Sequence, residues 1–492
     1  MRHFLFVPLI SALLSYFLAA CDKKNTAQAE GSLATDDSHI TDHEYLQGDD
    51  RGDISSDIDV PAVNGPVWTI TESDISWHKQ DNVFFHQWGT AAIDAAMKIY
   101  KFGDQVAVLS RYNISQEYHD QMMLSLITGG NHIKNYLLGS TFPARLFANE
   151  ATQGKDGRIF ITAISSADLG KTFEKNDKQK YDACVIVIDP KDDSFSFFQW
   201  GNEGYAHPET ILINDDGSLT VAGFTDGAFP GQELKGKSDI FISRIETKTG
   251  RISTVQYGNG TPTIPSTPRL IGMDKNYWHF ALMPETALPG QTFFGGPWDA
   301  GIIAIDRKIG FQRYWQFGTD NMDFFGSTIL DEKERMHFIG TTFGTFAGQK
   351  HIGDSNYSDL FYGYFENGKV AIVMQYGTDL DEMNGALRLH KGTLYHTGST
   401  SGACENAYAA PKKDILFAKI DPATKKMTCV KFGDVAEDDL GYDLLVEDDG
   451  TVYIAGNTQG AVGKNSYHLD EKNAPRSDAF LMKTTLKDLG FE

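Results

Sequence analysis

The sequence predicts an all-β protein, a seven-bladed β-propeller made of four-stranded antiparallel blades. The first observation behind this prediction is the stretch Gly441 to Gly456, where apolar residues alternate on both sides of an Asp-Asp-Gly turn. Period-two patterning around a tight turn is typical of a β-hairpin. Similar hairpin patterns recur at 209–225, 268–282, 327–342 and 386–400, and more weakly at 95–110 and 145–165.

Two short marks recur independently of the hairpins. One is an aromatic or apolar residue followed by glycine, at Trp88-Gly89, Leu138-Gly139, Trp200-Gly201, Tyr257-Gly258, Phe317-Gly318, Tyr376-Gly377 and Phe432-Gly433. The other is an aspartate that opens an apolar strand, at Asp120, Asp182, Asp239, Asp299, Asp359, Asp414 and Asp478. Each mark occurs seven times, and each repeat supplies four strands, which indicates seven propeller blades. No segment has a long helical period, which disfavours a parallel α/β sheet.

The way the ring closes also follows from the count. The seventh repeat has its third strand at 478–485 but no fourth strand after it, whereas the strand Asn82 to Trp88 has no preceding repeat. We expect that strand to complete the last blade, with Phe84 and Phe85 pairing near Phe480 to Lys483. This arrangement removes two open sheet edges at once.

The chain before the propeller divides into two segments. Residues 1–20 have an early arginine, an apolar core and small residues at the end, the pattern of a secretory signal. Leu18-Ala19-Ala20-Cys21 resembles the bacterial lipobox, which implies a diacylglyceryl group on Cys21; an ordinary signal beside an incidental cysteine is the alternative. Residues 21–65 are polar and acidic, which predicts a disordered tether. The expected location is the bacterial envelope, on the inner or outer membrane, with the propeller at 66–492 in the periplasm or at the cell surface.

The charge balance excludes one class of partner. The formal net charge is −22, with 44 Lys and Arg against 66 Asp and Glu. Nucleic-acid binding needs clustered basic residues, and so does adhesion to anionic lipid. We therefore expect no nucleic acid, and membrane attachment only through the lipid anchor.

Some runs of the chain resemble a known repeat family. DGTVYIAGNTQG, SDAFLMK and WQFGTD are similar to the bacterial SBBP-type β-propeller repeat, and the resemblance covers about 82–492. It implies a seven-bladed propeller. It implies no particular chemistry, because members of this family share no single activity.

Acidic residues that follow the aromatic-Gly marks are the candidate ligand residues. In a propeller the two sets of long loops share one face, so carboxylates there could form a ring at the channel mouth and bind Ca²⁺ or a cationic ligand. The alternative is that they accept hydrogen bonds from turn amides, and we favour it because the feature repeats with the fold. No other cofactor is expected. The residues are Asp94, Glu203, Asp323, Asp381, Glu382, Asp438 and Asp439.

The remaining cysteines have different expected roles. Cys184 lies on an apolar third strand and is expected to be a small core residue. Cys404 and Cys429 belong to the same repeat, one in a long loop and one on the outer strand, and could form a disulfide in an oxidising compartment.

No catalytic constellation is recognisable in the sequence, so the leading hypothesis is a binding or scaffolding module for an envelope protein or polysaccharide. One alternative is an enzyme, similar to a lactonase or a quinone-dependent dehydrogenase, with a metal in the central channel. Another is a carbohydrate-binding or adhesion protein that uses long-loop aromatic residues, namely Phe229, Phe293, Phe294 and Trp298.

Overall fold

The computed structural model describes the chain from residue 66 onward, with gaps. The described residues are 66–80, 82–89, 93–113, 120–140, 146–166, 169, 181–258, 269–273, 276–308, 310, 312–434, 436–462 and 477–492. The predicted signal, Cys21 and the tether lie outside them. Among the described residues there is no α-helix, and a search of them found no helix with the length and apolar character to cross a membrane.

Thirty strands form seven antiparallel sheets in the described part of the chain, which confirms the predicted fold class. Two strands come first: β1 (Pro66–Asp74) and the short β2 (His78–Gln80). Blade 7 takes β3 (Val83–Trp88) with β28 (Asp439–Val446), β29 (Thr451–Thr458) and β30 (Asp478–Thr485). The strands of blades 1 to 3 are β4 (Ala95–Phe102), β5 (Gln105–Asn113), β6 (Asp120–Thr128), β7 (His132–Ser140); β8 (Leu146–Gln153), β9 (Ile159–Ser165), β10 (Asp182–Asp189), β11 (Ser194–Trp200); β12 (Ala206–Ile213), β13 (Leu219–Thr225), β14 (Asp239–Glu246) and β15 (Arg251–Tyr257). Those of blades 4 to 6 are β16 (Arg269–Met273), β17 (Tyr277–Leu282), β18 (Ala300–Asp306), β19 (Gln312–Phe317); β20 (Asp323–Leu330), β21 (Met336–Thr342), β22 (Asp359–Glu366), β23 (Lys369–Tyr376); β24 (Glu382–His390), β25 (Thr393–Thr400), β26 (Asp414–Asp421) and β27 (Lys426–Phe432).

The N-terminal strand closes the ring as the sequence predicts. β3 pairs antiparallel with β30, with Phe84 opposite Lys483 and Phe85 opposite Met482. A hydrophobic cluster then joins blade 7 to blade 1, packing Ala455 and Leu481 with Ile99 and Val108. Similar clusters join every other pair of neighbouring blades. The core is therefore a set of sandwiches between blades, and apolar burial holds the ring together.

Two strands that the sequence analysis missed extend the outer edges of the closing blades. β1 pairs with β7 along its whole length, from Pro66 opposite Ser140 to Asp74 opposite His132. β2 pairs with β3. Both cover edges that would otherwise expose unpaired backbone groups.

Every blade has a β-bulge in its first strand, and this corrects the predicted strand bounds. In blade 7 the register shifts between Gly441 and Asp443, and the other six first strands are interrupted in the same way. A bulge breaks the period-two alternation. The sequence therefore placed the starts of β12, β20, β24 and β28 three or four residues too late.

The long loops share one face of the ring. In blade 6, Glu382 at the start of β24 lies opposite Thr400 at the end of β25, which lies opposite Asp414 at the start of β26. The loop 401–413 and the connection from β27 into blade 7 therefore leave from the same end of the sheet. We call this end the loop face, and the end with the hairpin turns the turn face.

Candidate functional site

Most of the predicted acidic ligand residues lie beneath the loop face instead of in exposed loops. Asp323, Glu382 and Asp439 are the first residues of their inner strands and are fully buried. Asp94 directly precedes β4 and is also fully buried. Glu203 is exposed in its loop. These four acids are therefore buried beneath the loop face, three of them because the bulged strands begin earlier than the sequence pattern suggests.

The two sequence marks meet in space. In five blades the glutamine that precedes the aromatic-Gly mark donates from Nε2 to the third-strand aspartate of the same blade. A lysine takes its place in blade 6, and Leu137 stands there in blade 1. The pairs are Gln87–Asp478 at 2.9 Å, Gln199–Asp182 at 3.0 Å, Gln256–Asp239 at 2.9 Å, Gln316–Asp299 at 2.7 Å, Gln375–Asp359 at 2.7 Å and Lys431–Asp414 at 2.8 Å. Several of these aspartates also accept loop amides, such as Phe294 N at 2.8 Å. Asp239, Asp299 and Asp359 thus bond loop backbone at the start of the third strand.

A second carboxylate reaches several of these aspartates from the next blade. We call each such meeting point a joint and number it by its two blades. Joint 4/5 contains Asp299 and Asp323, which flank Gly318. A Cβ placed on Gly318 would lie 2.7 Å from Asp299 Oδ1 and 2.8 Å from Asp323 Oδ2. Burial, reinforced by the Asp299 charge, raises the pKa of Asp323 to about 7.

Joint 5/6 repeats this arrangement with a longer acid. Asp359 and Glu382 flank Gly377, whose Cβ would collide with Glu382 Oε2 and lie 3.1 Å from Asp359 Oδ1. Glu382 Oε1 accepts a hydrogen bond from Thr400 Oγ1 at 3.0 Å and another from the Thr378 hydroxyl. Burial raises the pKa of Glu382 to about 8, although these hydroxyl donors oppose the shift.

Joint 6/7 contains a cation of its own. Asp414 and Asp439 flank Gly433, and Lys431 stands where the other blades have glutamine. Lys431 Nζ lies 2.8 Å from Asp414 Oδ2, and both side chains are almost fully buried. Asp439 Oδ2 accepts the Asp434 amide at 2.5 Å. Burial raises the pKa of Asp439 to about 8, and the charges of Asp414 and Asp434 act in the same direction.

The second carboxylate is not present at every joint. The position of Glu382, opposite the last residue of the second strand, is Leu146 in blade 2 and Ala206 in blade 3. Both are buried apolar residues. Gly201 therefore approaches only Asp182, so joint 2/3 has one carboxylate. Joints 4/5, 5/6 and 6/7 have two, and so does joint 7/1, where Asp478 and Asp94 flank Gly89.

Two other predicted ligand residues form conventional pairs. Asp381 accepts Ser358 N at 3.0 Å and pairs with Lys413 Nζ at 2.9 Å. Asp438 accepts Lys413 N at 2.9 Å and has Lys412 Nζ at 3.7 Å. These contacts fit the alternative that the acids accept turn amides. Cation binding by the acidic set remains a prediction.

The long loop of blade 6 is pinned to its outer strand. A disulfide joins Cys404 to Cys429 on β27, one of the two outcomes that the sequence left open. Glu405 N donates to Cys429 O at 3.1 Å, and Asn406 exchanges two hydrogen bonds with the backbone of Lys431. The loop therefore has little freedom at this end. Cys184, by contrast, is an unpaired and fully buried core residue, as predicted.

Exposed aromatic rings lie in the equivalent long loops of three consecutive blades. Phe294 of blade 4 is 48% exposed, Tyr357 of blade 5 is 37% exposed, and Tyr408 in the pinned loop of blade 6 is 93% exposed. Phe293 and Trp298 are half-buried. Phe229 is buried against Phe241, and its amide donates to Gln256 Oε1. The expectation that Phe229 is available to a glycan is therefore wrong.

The turn face has a groove of about 640 Å³ between blades 5 and 6. Its wall includes His337, whose Nδ1 lies 2.7 Å from the Tyr362 hydroxyl and whose Nε2 lies 3.2 Å from Asp331 Oδ2. Both ring nitrogens are thus engaged within the protein, and this groove offers no free imidazole. Within the described part of the chain, no three or more His, Cys, Asp or Glu side chains are grouped so as to hold a metal.

Comparisons with known proteins give the fold alone. No family model and no curated protein matches the chain, so the SBBP-type repeat stays a resemblance. Among solved structures, the chain is similar to the β-propeller domain of the Trilobed protease from Pyrococcus furiosus, at 12% identity and TM-score 0.40, over 79% of this chain and 93% of that one. It is similar to a polysaccharide lyase, an ulvan lyase, at 10% identity and TM-score 0.43, over 75% and 93%. It is also similar to the tricorn protease, at 11% identity and TM-score 0.38, over 77% and 34%.

Proposed function

We propose that this protein is an envelope lipoprotein whose propeller is a binding module, with its partner contacting the loop face at blades 4 to 6. The observation that carries this proposal is the exposure of Tyr408 on a loop fixed by a disulfide and backbone hydrogen bonds. A rigid loop loses little conformational entropy when it binds, and aromatic residues supply a large share of binding energy at protein interfaces.

The neighbouring loops extend the same surface. Tyr357 and Phe294 occupy the equivalent loops of blades 5 and 4, so a partner that contacts Tyr408 can reach three aromatic rings without crossing the channel. The sequence supports the rest of the proposal: the Cys21 anchor and the segment at 21–65 would hold the propeller near a membrane. A disulfide fits an oxidising compartment such as the periplasm.

The test uses the full chain with its anchor retained. Cross-linking and pull-down from intact envelopes should capture a partner with the natural chain. The triple variant Phe294→Ala, Tyr357→Ala, Tyr408→Ala should lose most of that capture. Val255→Ala is the matched control, since Val255 is also 48% exposed but lies on an outer strand. Equal capture by the triple variant would refute the proposed face.

A polysaccharide partner would be identified with the same variants in a second measurement. Glycan-array binding that the triple variant loses would identify the partner as carbohydrate, because aromatic rings also stack on sugars. The enzyme alternative predicts turnover of a lactone, or electron transfer from a substrate to a quinone, that the triple variant retains.

A further inference from the structure

We propose that joints 4/5 and 5/6 each bind one Ca²⁺ ion between the two carboxylates that neighbouring blades bring together. These sites are separate from the aromatic rings of the loop face. Their role is to neutralise charge between blades and so fix the ring beneath the partner-binding loops.

Unpartnered carboxylate oxygens are the first line of support. Asp299 Oδ1 in joint 4/5, and Asp359 Oδ1 and Glu382 Oε2 in joint 5/6, are buried and accept no hydrogen bond. The three side chains are fully buried. Buried polar atoms in folded proteins nearly always have a partner, and an uncompensated buried charge is strongly destabilising. These oxygens therefore need a cation or a proton.

The carboxylates of neighbouring blades also approach each other against one glycine. At joint 4/5 a Cβ on Gly318 would lie 2.7 Å from Asp299 Oδ1 and 2.8 Å from Asp323 Oδ2, which also accepts Thr319 N at 2.6 Å. At joint 5/6 a Cβ on Gly377 would meet the unpartnered oxygens of both Asp359 and Glu382. Glycine permits this close approach, whereas a Cβ would collide with the oxygens. Each joint thus brings carboxylates of two blades to the same glycine.

Other joints of the same ring show how the charge of a carboxylate pair is balanced or avoided without a bound ion. At joint 6/7, where the neutral glutamine is replaced by Lys431, an ammonium group lies 2.8 Å from Asp414. At joint 2/3 the second carboxylate is replaced by Ala206. Joint 6/7 also has unpartnered oxygens, Asp414 Oδ1 and Asp439 Oδ1, but it contains that lysine. Joint 7/1 has two carboxylates and Gln87, but neither Asp94 nor Asp478 has a buried oxygen without a hydrogen-bond partner. Joints 4/5 and 5/6 combine paired carboxylates and unpartnered oxygens with no lysine ion pair among the described residues.

The donor atoms select the class of ion. The paired carboxylates supply oxygen donors, and two carboxylates match the charge of one divalent ion. Ca²⁺ accepts six to eight oxygen ligands in flexible geometry and takes carboxylates together with backbone carbonyls and water. Transition metals favour thiolate or imidazole ligands. Joint 4/5 contains no imidazole among the described contacts. At joint 5/6 the His351 imidazole faces Asp359, with Nδ1 3.3 Å from Asp359 Oδ2 and 2.9 Å from Ile352 O.

The experiment measures bound calcium per chain. The full chain is purified in detergent, stripped with a chelator at pH 7.5, and titrated with CaCl₂ by calorimetry, with elemental analysis after desalting. We expect Asp323→Asn and Glu382→Gln each to remove one Ca²⁺ per chain relative to the natural protein. Asp439→Asn, at the joint that contains Lys431, is the matched control and should leave the calcium count unchanged.

Melting temperatures of Asp323→Asn and Glu382→Gln show whether a lower calcium count is caused by misfolding. Without calcium, Asp323→Asn removes a buried charge, so its melting temperature in chelator should equal or exceed that of the natural chain. Calcium should raise the melting temperature of the natural chain more than that of either variant. If the natural chain binds no calcium, or if the variants bind as much as it does, the joints hold protons only and the proposal is wrong.

Discussion

Joints 5/6 and 6/7 are equivalent places in the same ring and differ mainly in one side chain. Each has a third-strand aspartate, a second acid from the next blade and a glycine between them. Joint 5/6 completes the set with Gln375, which donates one neutral hydrogen bond to Asp359. Joint 6/7 completes it with Lys431, which brings a full positive charge to Asp414. Both joints thus have a pair of buried acids, but the group that accompanies the pair is neutral in one joint and positively charged in the other.

The largest effect is expected from removing the cation of joint 6/7. Lys431→Met leaves Asp414 and Asp439 buried without a positive charge, and breaking a buried ion pair typically costs about 3–5 kcal/mol. Urea denaturation in chelator at pH 7.5 measures the loss. A loss of unfolding free energy smaller than that of an ordinary surface substitution would show that Lys431 does not neutralise the acids of this joint.

The disulfide beside joint 6/7 is a second possible source of its stability. Replacing both Cys404 and Cys429 with alanine opens a loop whose ends are 25 residues apart, and closing a loop of this size is worth about 3 kcal/mol. The same denaturation measurement applies. Combining this change with Lys431→Met should give additive losses if the two act independently. A combined loss well below the sum would mean that both act through one local unfolding event.

Joint 6/7 should also make stability depend on pH. An unfolded aspartate ionises near pH 4, whereas Asp439 in the folded chain keeps its proton until its pKa of about 8. The stabilisation is present below pH 4 and is lost as pH rises toward 8. The charged groups that act on Asp439 are Asp414, which pairs with Lys431, and Asp434.

Asp439→Asn should therefore reduce the loss of unfolding free energy between about pH 5 and pH 6.5 by about 2 kcal/mol. Denaturation of both proteins at matched pH values, with chelator present, gives this difference directly. Parallel pH profiles for the two proteins would mean that Asp439 is already ionised in the fold.

The smallest effect is expected at the neutral partner of joint 5/6. Gln375→Met removes a hydrogen bond to Asp359 and another to Gly344 O, and a neutral hydrogen bond contributes about 1 kcal/mol. The loss should be clearly smaller than that of Lys431→Met under identical conditions. Equal losses at the two joints would remove the distinction between them.

The sequence predicts the ring better than it predicts the joints. Blade count, four strands in each blade and closure by β3 follow from marks that repeat along the chain, and the structure confirms them. The bulges at the first strands are invisible to a period-two pattern. Glu382 and Asp439 were therefore expected in loops, whereas they open buried strands.

The hydrogen bond between glutamine and aspartate could have been predicted from the sequence, although not from the alternation of apolar and polar residues. In blades 2 to 5 the glutamine of the aromatic-Gly mark follows the third-strand aspartate by 16 or 17 residues, as in Gln375 with Asp359 and Gln316 with Asp299. A constant offset between two polar marks indicates contact across adjacent strands. The meeting of carboxylates from different blades has no such signal, since it depends on how neighbouring sheets pack.

The measurement that tests the account most directly is the calcium count of Lys431→Gln. This change gives joint 6/7 the same set of groups as joint 5/6: two acids, a glutamine and a glycine. Calorimetric titration of the full chain at pH 7.5, beside the natural protein, should find one additional Ca²⁺ per chain in the variant. An unchanged calcium count in a variant that still melts cooperatively would contradict the idea that each paired-acid joint needs a cation.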